Sequence, residues 1–337
     1  MTTRVAVIGA GSWGTAVARI VSTNAEVVLW ARDDEVVVSI NGDHCSPDYL
    51  PGIDLPAAVR ATGSLEEACA GAEVIVMGVP SHGFRDVLAA ASPWIAADIP
   101  IVSLAKGVEQ GTLLRMTEVV ADVLPEHRQD KIGVLTGPNL AREVAAGGPA
   151  ASVVAFADGR TAEFLQHLFM TETFRVYTNP DVIGCEIAGA LKNVVALASG
   201  IAHGLGYGDN TKAALMTRGL AELARLGNKL GGNPMSFAGL AGLGDLVATC
   251  TSEKSRNRTV GVALGQGRAL DEIVAEMKMV AEGVKTTGAV LELARRAEVE
   301  MPIAEEVGAV LYEGRDPSEL VPELMLREAK PELRGMR

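Results

Sequence analysis

Cysteine and histidine are scarce in this chain, with four and five residues among 337. Cys45, Cys69, Cys185 and Cys250 stand far apart, form no CxxC pair and have no histidine at metal-ligand spacing. The pattern argues against a zinc site and against a disulfide framework, and reads the thiols as small buried hydrophobes. Basic charge is also short: 30 Lys and Arg stand against 42 Asp and Glu, a net charge of −12. That balance speaks against a nucleic-acid surface and leaves anion binding to a few placed residues. No apolar run reaches the roughly 18 residues of a membrane span. The opening MTTRVAVIGAG enters an apolar strand at once, without a charged n-region, an h-region or a cleavage site, so a cytoplasmic protein is expected. Internal repeats and low-complexity tracts are lacking too. What remains, 48% hydrophobic and 21% charged residues over 337 positions, is the composition of a globular protein long enough for two domains.

The most informative segment is RVAVIGAGSWGTAVARIVSTNAEVVLWAR, Arg4 to Arg32. An apolar strand runs into Gly9, Gly11 and Gly14, a helix follows from Ser12, and a second apolar strand ends at Arg32. This is the pattern of a dinucleotide-binding βαβ unit. Gly9 serves the tight turn, Gly11 lets the backbone approach a pyrophosphate, and Gly14 lets the helix pack on the strand. The helix start offers free N–H groups to an anion. An acidic residue at the end of the second strand favours NAD, whereas Arg accommodates a 2′-phosphate. Arg32 therefore favours NADP(H) over NAD(H), while Asp33 and Asp34 either cap the next helix or contact the ribose.

Further apolar strand patterns fall at Glu73–Val79, Ile99–Leu104, Ile132–Thr136, Ala151–Phe156 and Phe174–Thr178, with helical spacing at Arg85–Ile95 and Leu113–Leu124. The alternation predicts an α/β fold: an N-terminal Rossmann-type, doubly wound, mainly parallel sheet. Ligand loops then lie at the carboxyl ends of the strands. Beyond Pro180 the pattern turns helical, with one long apolar helix from Val182 to Ala198 and glycine-marked loops at 204–208, 231–234 and 239–244. The expected domains are 1–180 for the dinucleotide and an all-helical, substrate-binding 181–337, whose polar end from Lys330 reads as frayed.

Two lysines sit in unusual company. Lys106 follows a strand in SLAKGVE, and Lys192 lies in AGALKNVVAL. A partly desolvated lysine has a depressed pKa and serves as an acid or base, and a second lysine nearby pushes the same way; the alternative for Lys192 is a snorkelling surface residue. Asn193 beside it either bonds a hydroxyl or carbonyl or caps a turn. The stretch GLGDLVATCTSEKSRNR, Gly242 to Arg258, places Asp245 after a glycine turn and groups Ser255, Arg256, Asn257 and Arg258 as donors for a phosphate, or else as a solvated helix end. His203 with Asp209 reads either as an acid/base pair or, beside Gly204, Gly206 and Gly208, as loop polarity, and His82 lies at a strand end near the expected cofactor crevice, as a ligand contact or as plain surface polarity.

The motifs GAGSWGTA, AKG, GPNLAREVA, ALKNVVA, GDNTKAAL, GLGDLVATCTS with SRNR, and VAEGVKTT occur in that order from about residue 5 to residue 287. Together they resemble the soluble NAD(P)-dependent glycerol-3-phosphate dehydrogenases of the bacterial type. The resemblance implies reversible reduction of dihydroxyacetone phosphate to sn-glycerol 3-phosphate for glycerophospholipid synthesis. By position it implies that Gly9, Gly11, Ser12, Trp13, Gly14, Arg32, Lys106, Ala141, Arg256, Val280 and Glu282 contact the cofactor. It implies that Lys106, Gly137, Asn139, Lys192, Asp245, Ser255, Arg256 and Asn257 contact the substrate. Lys192 matches the proton donor and acceptor, Asp245 the residue that orients it, and Lys106 and Asn193 are expected to stabilise the developing alkoxide. No metal is required. Asn139 and Leu140 depart from the Ser or Thr followed by Phe of many members, which implies a retained polar contact with altered geometry. The apolar second domain makes a homodimer the expected assembly. Rival readings are another phosphosugar or β-hydroxyacid dehydrogenase of the same architecture, or a non-catalytic NADP(H) sensor; the Ser255–Asn257 block and the AEG at Ala281 separate the first, and the two lysines the second.

Overall fold

The computed structural model describes residues 2–277 and 281–332. Its chain divides into two compact units, Met1–Ala105 with Leu114–Val182, and Lys106–Leu113 with Ile183–Arg337. The sequence pattern alone groups residues 1–180; the short segment Lys106–Leu113 clusters instead with the helical half.

The first unit is a sheet of β1 (Arg4–Ile8), β2 (Glu26–Trp30), β3 (Val59–Thr62), β4 (Val74–Met77), β5 (Ile101–Ser103), β6 (Ile132–Thr136), β7 (Ala150–Ala155) and β8 (Phe174–Asn179). Its order is β3-β2-β1-β4-β5-β6-β7-β8. All pairs are parallel except β6 with β7, so the sheet is doubly wound as expected. The strand order reverses between β1 and β4, which places the ligand crevice of such a sheet at their carboxyl ends. The helices are α1 (Ser12–Val21), α2 (Asp34–Asp43), α3 (Leu65–Cys69), α4 (Ser81–Ala91), α5 (Met116–Val123), α6 (Ala141–Ala145) and α7 (Gly159–Phe169). Side chains alternate across the sheet, as its two-residue period requires: Val5 and Val7 join Val17 and Leu29 in one core layer, while Ala6 and Ile8 join Met77, Phe84 and Leu88 in the other. Sequence pattern misses β3, because its four residues VRAT include the exposed Arg60 and lack a sustained apolar run. It also overruns β4, which stops before Gly78, where a Cβ would lie 3.1 Å from both the Gly14 Cα and the Gly9 carbonyl oxygen.

In the second unit every named element is helical: α8 (Val182–Gly204), α9 (Asp209–Lys229), α10 (Pro234–Phe237), α11 (Asp245–Thr251), α12 (Arg256–Gly265), α13 (Leu270–Glu276), α14 (Glu282–Arg296), α15 (Pro302–Tyr312) and α16 (Leu320–Met325). Helix α8 runs six residues past the predicted Ala198. It is long and apolar enough to cross a membrane by length and composition alone, with a mean hydropathy of 1.5, yet 89% of that window is buried inside the protein. A helix apolar on all sides is a core helix when protein surrounds it. Its last turns touch α12 backbone to backbone. A Cβ on Gly200 would lie 2.3 Å from the Arg258 carbonyl oxygen, one on Gly204 2.3 Å from that of Val262, and one on Gly261 2.3 Å from that of Leu197. Only glycine permits this approach, and it fixes α12 against the helix that carries Lys192.

Candidate active site

In the first unit the candidate groups are mostly backbone. Gly9 takes φ +117°, and a Cβ there would lie 2.8 Å from the Gly78 carbonyl carbon; a Cβ on Gly14 would lie 2.0 Å from the Gly9 carbonyl oxygen. These two glycines are demanded by packing. Gly11 is different: nothing lies within 4 Å of where its Cβ would be, and as the N-cap of α1 it supplies no side-chain cap, with no acidic residue in the first turn. A helix start with no side-chain cap and the positive end of the helix dipole suits an anion. Ser12 donates its hydroxyl to the Tyr49 carbonyl at 2.8 Å, which ties the segment between α2 and β3 to the helix start. Trp13 packs against Phe174 with ring centroids 6.3 Å apart, and its buried Nε1 has no partner among the described residues. These features fit the pyrophosphate portion of a dinucleotide.

Arg32 is exposed just beyond β2. Asp33 accepts from the Glu35 N–H at 2.9 Å and caps α2, so of its two readings the capping one is observed. At the end of β6, Gly137 has φ +144° and a Cβ there would lie 3.1 Å from the Ser152 Cα. Asn139 Nδ2 donates to Ser152 Oγ at 3.0 Å, and that hydroxyl donates to the Thr136 carbonyl at 2.7 Å. The chain of donors orients the amide, leaving a buried Asn139 Oδ1 without a partner among the described residues. Ala141 opens α6 half-buried. His82 is exposed in the first turn of α4.

The second unit gathers charged side chains. Lys192, mid-way along α8, is 4% exposed, and Asp245, the first residue of α11, is 2% exposed. Asp245 Oδ2 lies 2.6 Å from Lys106 Nζ and its Oδ1 lies 3.2 Å from Lys192 Nζ. Lys192 Nζ also donates to Thr249 Oγ1 at 2.5 Å and to Asn193 Oδ1 at 3.2 Å. One carboxylate thus serves two ammonium groups, and three side-chain oxygens lie within 3.2 Å of Lys192 Nζ. Burial drives its pKa down to about 8, with the charge of Lys106 acting the same way and Asp245 opposing. An amine poised there can give or take a proton near neutrality. The adjacent Cys250 thiol is pushed up to about 12 by burial and so stays protonated.

Sequence reasoning brought Lys106, Lys192, Asn193 and Asp245 forward, and the structure places all four together. It missed Thr249, which donates to Asp245 Oδ1 at 3.2 Å. The signal was present, since Asp245 and Thr249 are four apart and share one face of α11. Of the phosphate block, Ser255 caps α12 by accepting from the Arg258 N–H at 3.3 Å, Arg256 is exposed, and Asn257 is buried with its Oδ1 accepting from the Gly283 N–H at 2.9 Å. Glu282 opens α14; Val280 lies outside the described residues. Asp209 pairs with Lys212 at 2.7 Å on an exposed helix start.

Residues 4–162 match the family described as NAD-dependent glycerol-3-phosphate dehydrogenase N-terminus, and residues 181–322 match its C-terminus counterpart. The chain is 55% identical to glycerol-3-phosphate dehydrogenase [NAD(P)+] of Thermobifida fusca, over 99% of this chain and all of that protein. It is 56% identical to glycerol-3-phosphate dehydrogenase [NAD(P)+] 2 of Sphingopyxis alaskensis, over 91% of each. The crystal structure of glycerol-3-phosphate dehydrogenase from Coxiella burnetii superposes with a TM-score of 0.92 at 38% identity, covering 97% of this chain and 99% of that one. With both halves matched and the sheet, the glycine loop and the buried lysine cluster in place, the chain belongs to the NAD-dependent glycerol-3-phosphate dehydrogenase family.

Proposed function

We propose that this protein is a glycerol-3-phosphate dehydrogenase that interconverts dihydroxyacetone phosphate and sn-glycerol 3-phosphate, supplying the backbone of glycerophospholipids. The observation that carries this reading is the buried Lys106–Asp245–Lys192–Thr249 cluster. A reduced nicotinamide dinucleotide, when bound, supplies the hydride that reaches the carbonyl carbon. Lys192 protonates the carbonyl oxygen in that direction and takes the proton back in the other. Asp245 and Thr249 hold its ammonium in place, and Lys106 with Asn193 stabilises the negative charge that develops on oxygen.

Gly9, Gly11, Ser12, Trp13 and Gly14 are assigned to the pyrophosphate, Arg32 to the adenosine 2′-phosphate, and Ala141, Glu282, Val280, Arg256 and Lys106 to further cofactor contacts. Engagement of Asp33 as a helix cap supports NADPH as the preferred cofactor, with NADH accepted. The substrate phosphate is assigned to Ser255, Arg256 and Asn257 at the start of α12, and Gly137 and Asn139 to the rest of the substrate. Anchoring the phosphate orients the carbonyl for reaction through binding energy remote from the reacting centre. A cytoplasmic homodimer without nucleic-acid partners completes the reading; the exposed Met235, Leu243 and Val247 support self-association.

Incubation with NADPH and dihydroxyacetone phosphate, followed at 340 nm, tests the proposal. Loss of absorbance with formation of sn-glycerol 3-phosphate is expected. Tight NADPH binding without turnover would point to a sensor, and turnover confined to other hydroxyacids or phosphosugars would overturn the substrate.

A further inference from the structure

We infer that Gly283 is a positioning residue, which sets the Asn257 carboxamide as a phosphate donor and registers it against the α8 segment bearing Lys192. This rests on the phosphate role of Asn257 proposed above. Asn257 is the second residue of α12 and 8% exposed, and its Oδ1 accepts from the Gly283 N–H at 2.9 Å. A backbone N–H only donates, so the carboxamide atom facing it is the oxygen. The amino group is thereby turned the other way, and that is the end an anion requires.

The same glycine backs onto α8. A Cβ on Gly283 would lie 3.1 Å from the Asn193 carbonyl oxygen and 2.7 Å from Asn257 Oδ1. The first contact is with backbone and needs a shift of only a few tenths of an ångström. The second is too close to persist, but it involves the far end of a side chain, which moves while the helices stay. Helix α12 does not follow, because its crossing with α8 at Gly200, Gly204, Gly261 and Gly265 has no slack. A methyl group at position 283 therefore displaces one carboxamide and asks at most a few tenths of an ångström of the Asn193 backbone, so Lys192 keeps its partners.

Gly283→Ala should raise the KM for dihydroxyacetone phosphate about tenfold, the scale of one hydrogen bond to a charged group. The kcat should change less than the KM, and the NADPH dissociation constant should stay within about twofold. Asn257→Ala should raise KM at least as much, and in that background Gly283→Ala should add nothing, because residues that act through one another are non-additive. A silent Gly283→Ala, or effects that multiply in the double variant, overturns the inference. An unchanged KM in Asn257→Ala overturns the phosphate role beneath it. In the wild-type protein, saturating sn-glycerol 3-phosphate should slow hydrogen exchange at the Gly283 amide about fivefold or more; unchanged exchange also overturns the inference, whatever the variants do.

Discussion

The first unit presents backbone, whereas the second presents side chains. At the start of α1 the groups suited to an anion are peptide N–H donors, and the N-cap residue Gly11 brings no side chain there and has nothing within 4 Å of its missing Cβ. At Lys192 the groups are an ammonium and a carboxylate, 4% and 2% exposed, drawn from segments as distant as Lys106 and Asp245. A backbone site is made by local conformation and needs glycine; a buried charge cluster is made by tertiary packing and needs every charge partnered. Substitutions should therefore separate binding from folding in the first unit, and chemistry from binding in the second.

The largest effect expected on chemistry is that of Lys192→Ala. Its kcat should fall by about 10³-fold or more, near the upper range for a general acid or base, with NADPH affinity within about threefold of wild type by fluorescence titration. Normal turnover would remove Lys192 from the mechanism. The glycine loop offers a paired test. Gly14→Ala, whose Cβ would lie 2.0 Å from the Gly9 carbonyl oxygen, should destabilise the protein by about 3 kcal/mol or more. Gly11→Ala should melt like wild type while binding NADPH about tenfold more weakly. If both variants melt alike, the distinction between a packing glycine and a binding glycine is lost.

Arg32→Ala should lower the ratio of kcat/KM for NADPH over NADH about tenfold; an unchanged ratio would move 2′-phosphate recognition elsewhere. The smallest effect concerns Glu222, a buried carboxylate on α9 that accepts from the Ile303 N–H at 3.0 Å. Burial raises its pKa to about 7, with Glu305 acting the same way and Arg225 and the Ile303 and Ala304 N–H groups opposing. The folded state then holds a proton that the unfolded state has released, so its contribution to stability is present below about pH 4.5 and is lost as pH rises through 7. Glu222→Gln should flatten that decline and raise Tm at pH 8 by about 2–4 °C. Identical slopes in the two proteins would contradict the assignment.

The same contrast explains what could be read without a structure. Gly9 to Gly14, the flanking strands and the 3.6-residue spacing of α1 are local, and the sheet follows from the alternation of strand and helix patterns along the chain. Short β3 escapes a reading of the sequence because VRAT, with its exposed Arg60, carries no sustained apolar run, whereas the equally short β4 and β5 do. Lys192 stood out as a charge in an apolar helix, but that Asp245 bridges it to Lys106 depends on how α8 and α11 meet. Thr249 needed the helical offset from Asp245 as well. The glycines of the α8 and α12 crossing are plain in the sequence, yet only the structure shows that they face each other.

Lys192 is proposed above as the proton donor, poised by burial. The dependence of kcat/KM on pH tests that role most directly, since that ratio reports ionisations of the free enzyme. Reduction of dihydroxyacetone phosphate should be level below a break near pH 8 and fall above it, where Lys192 loses its proton. Oxidation of sn-glycerol 3-phosphate should rise to the same break from the acid side. Profiles without a break near that pH in either direction, or a break that persists in the residual activity of Lys192→Ala, would contradict the account.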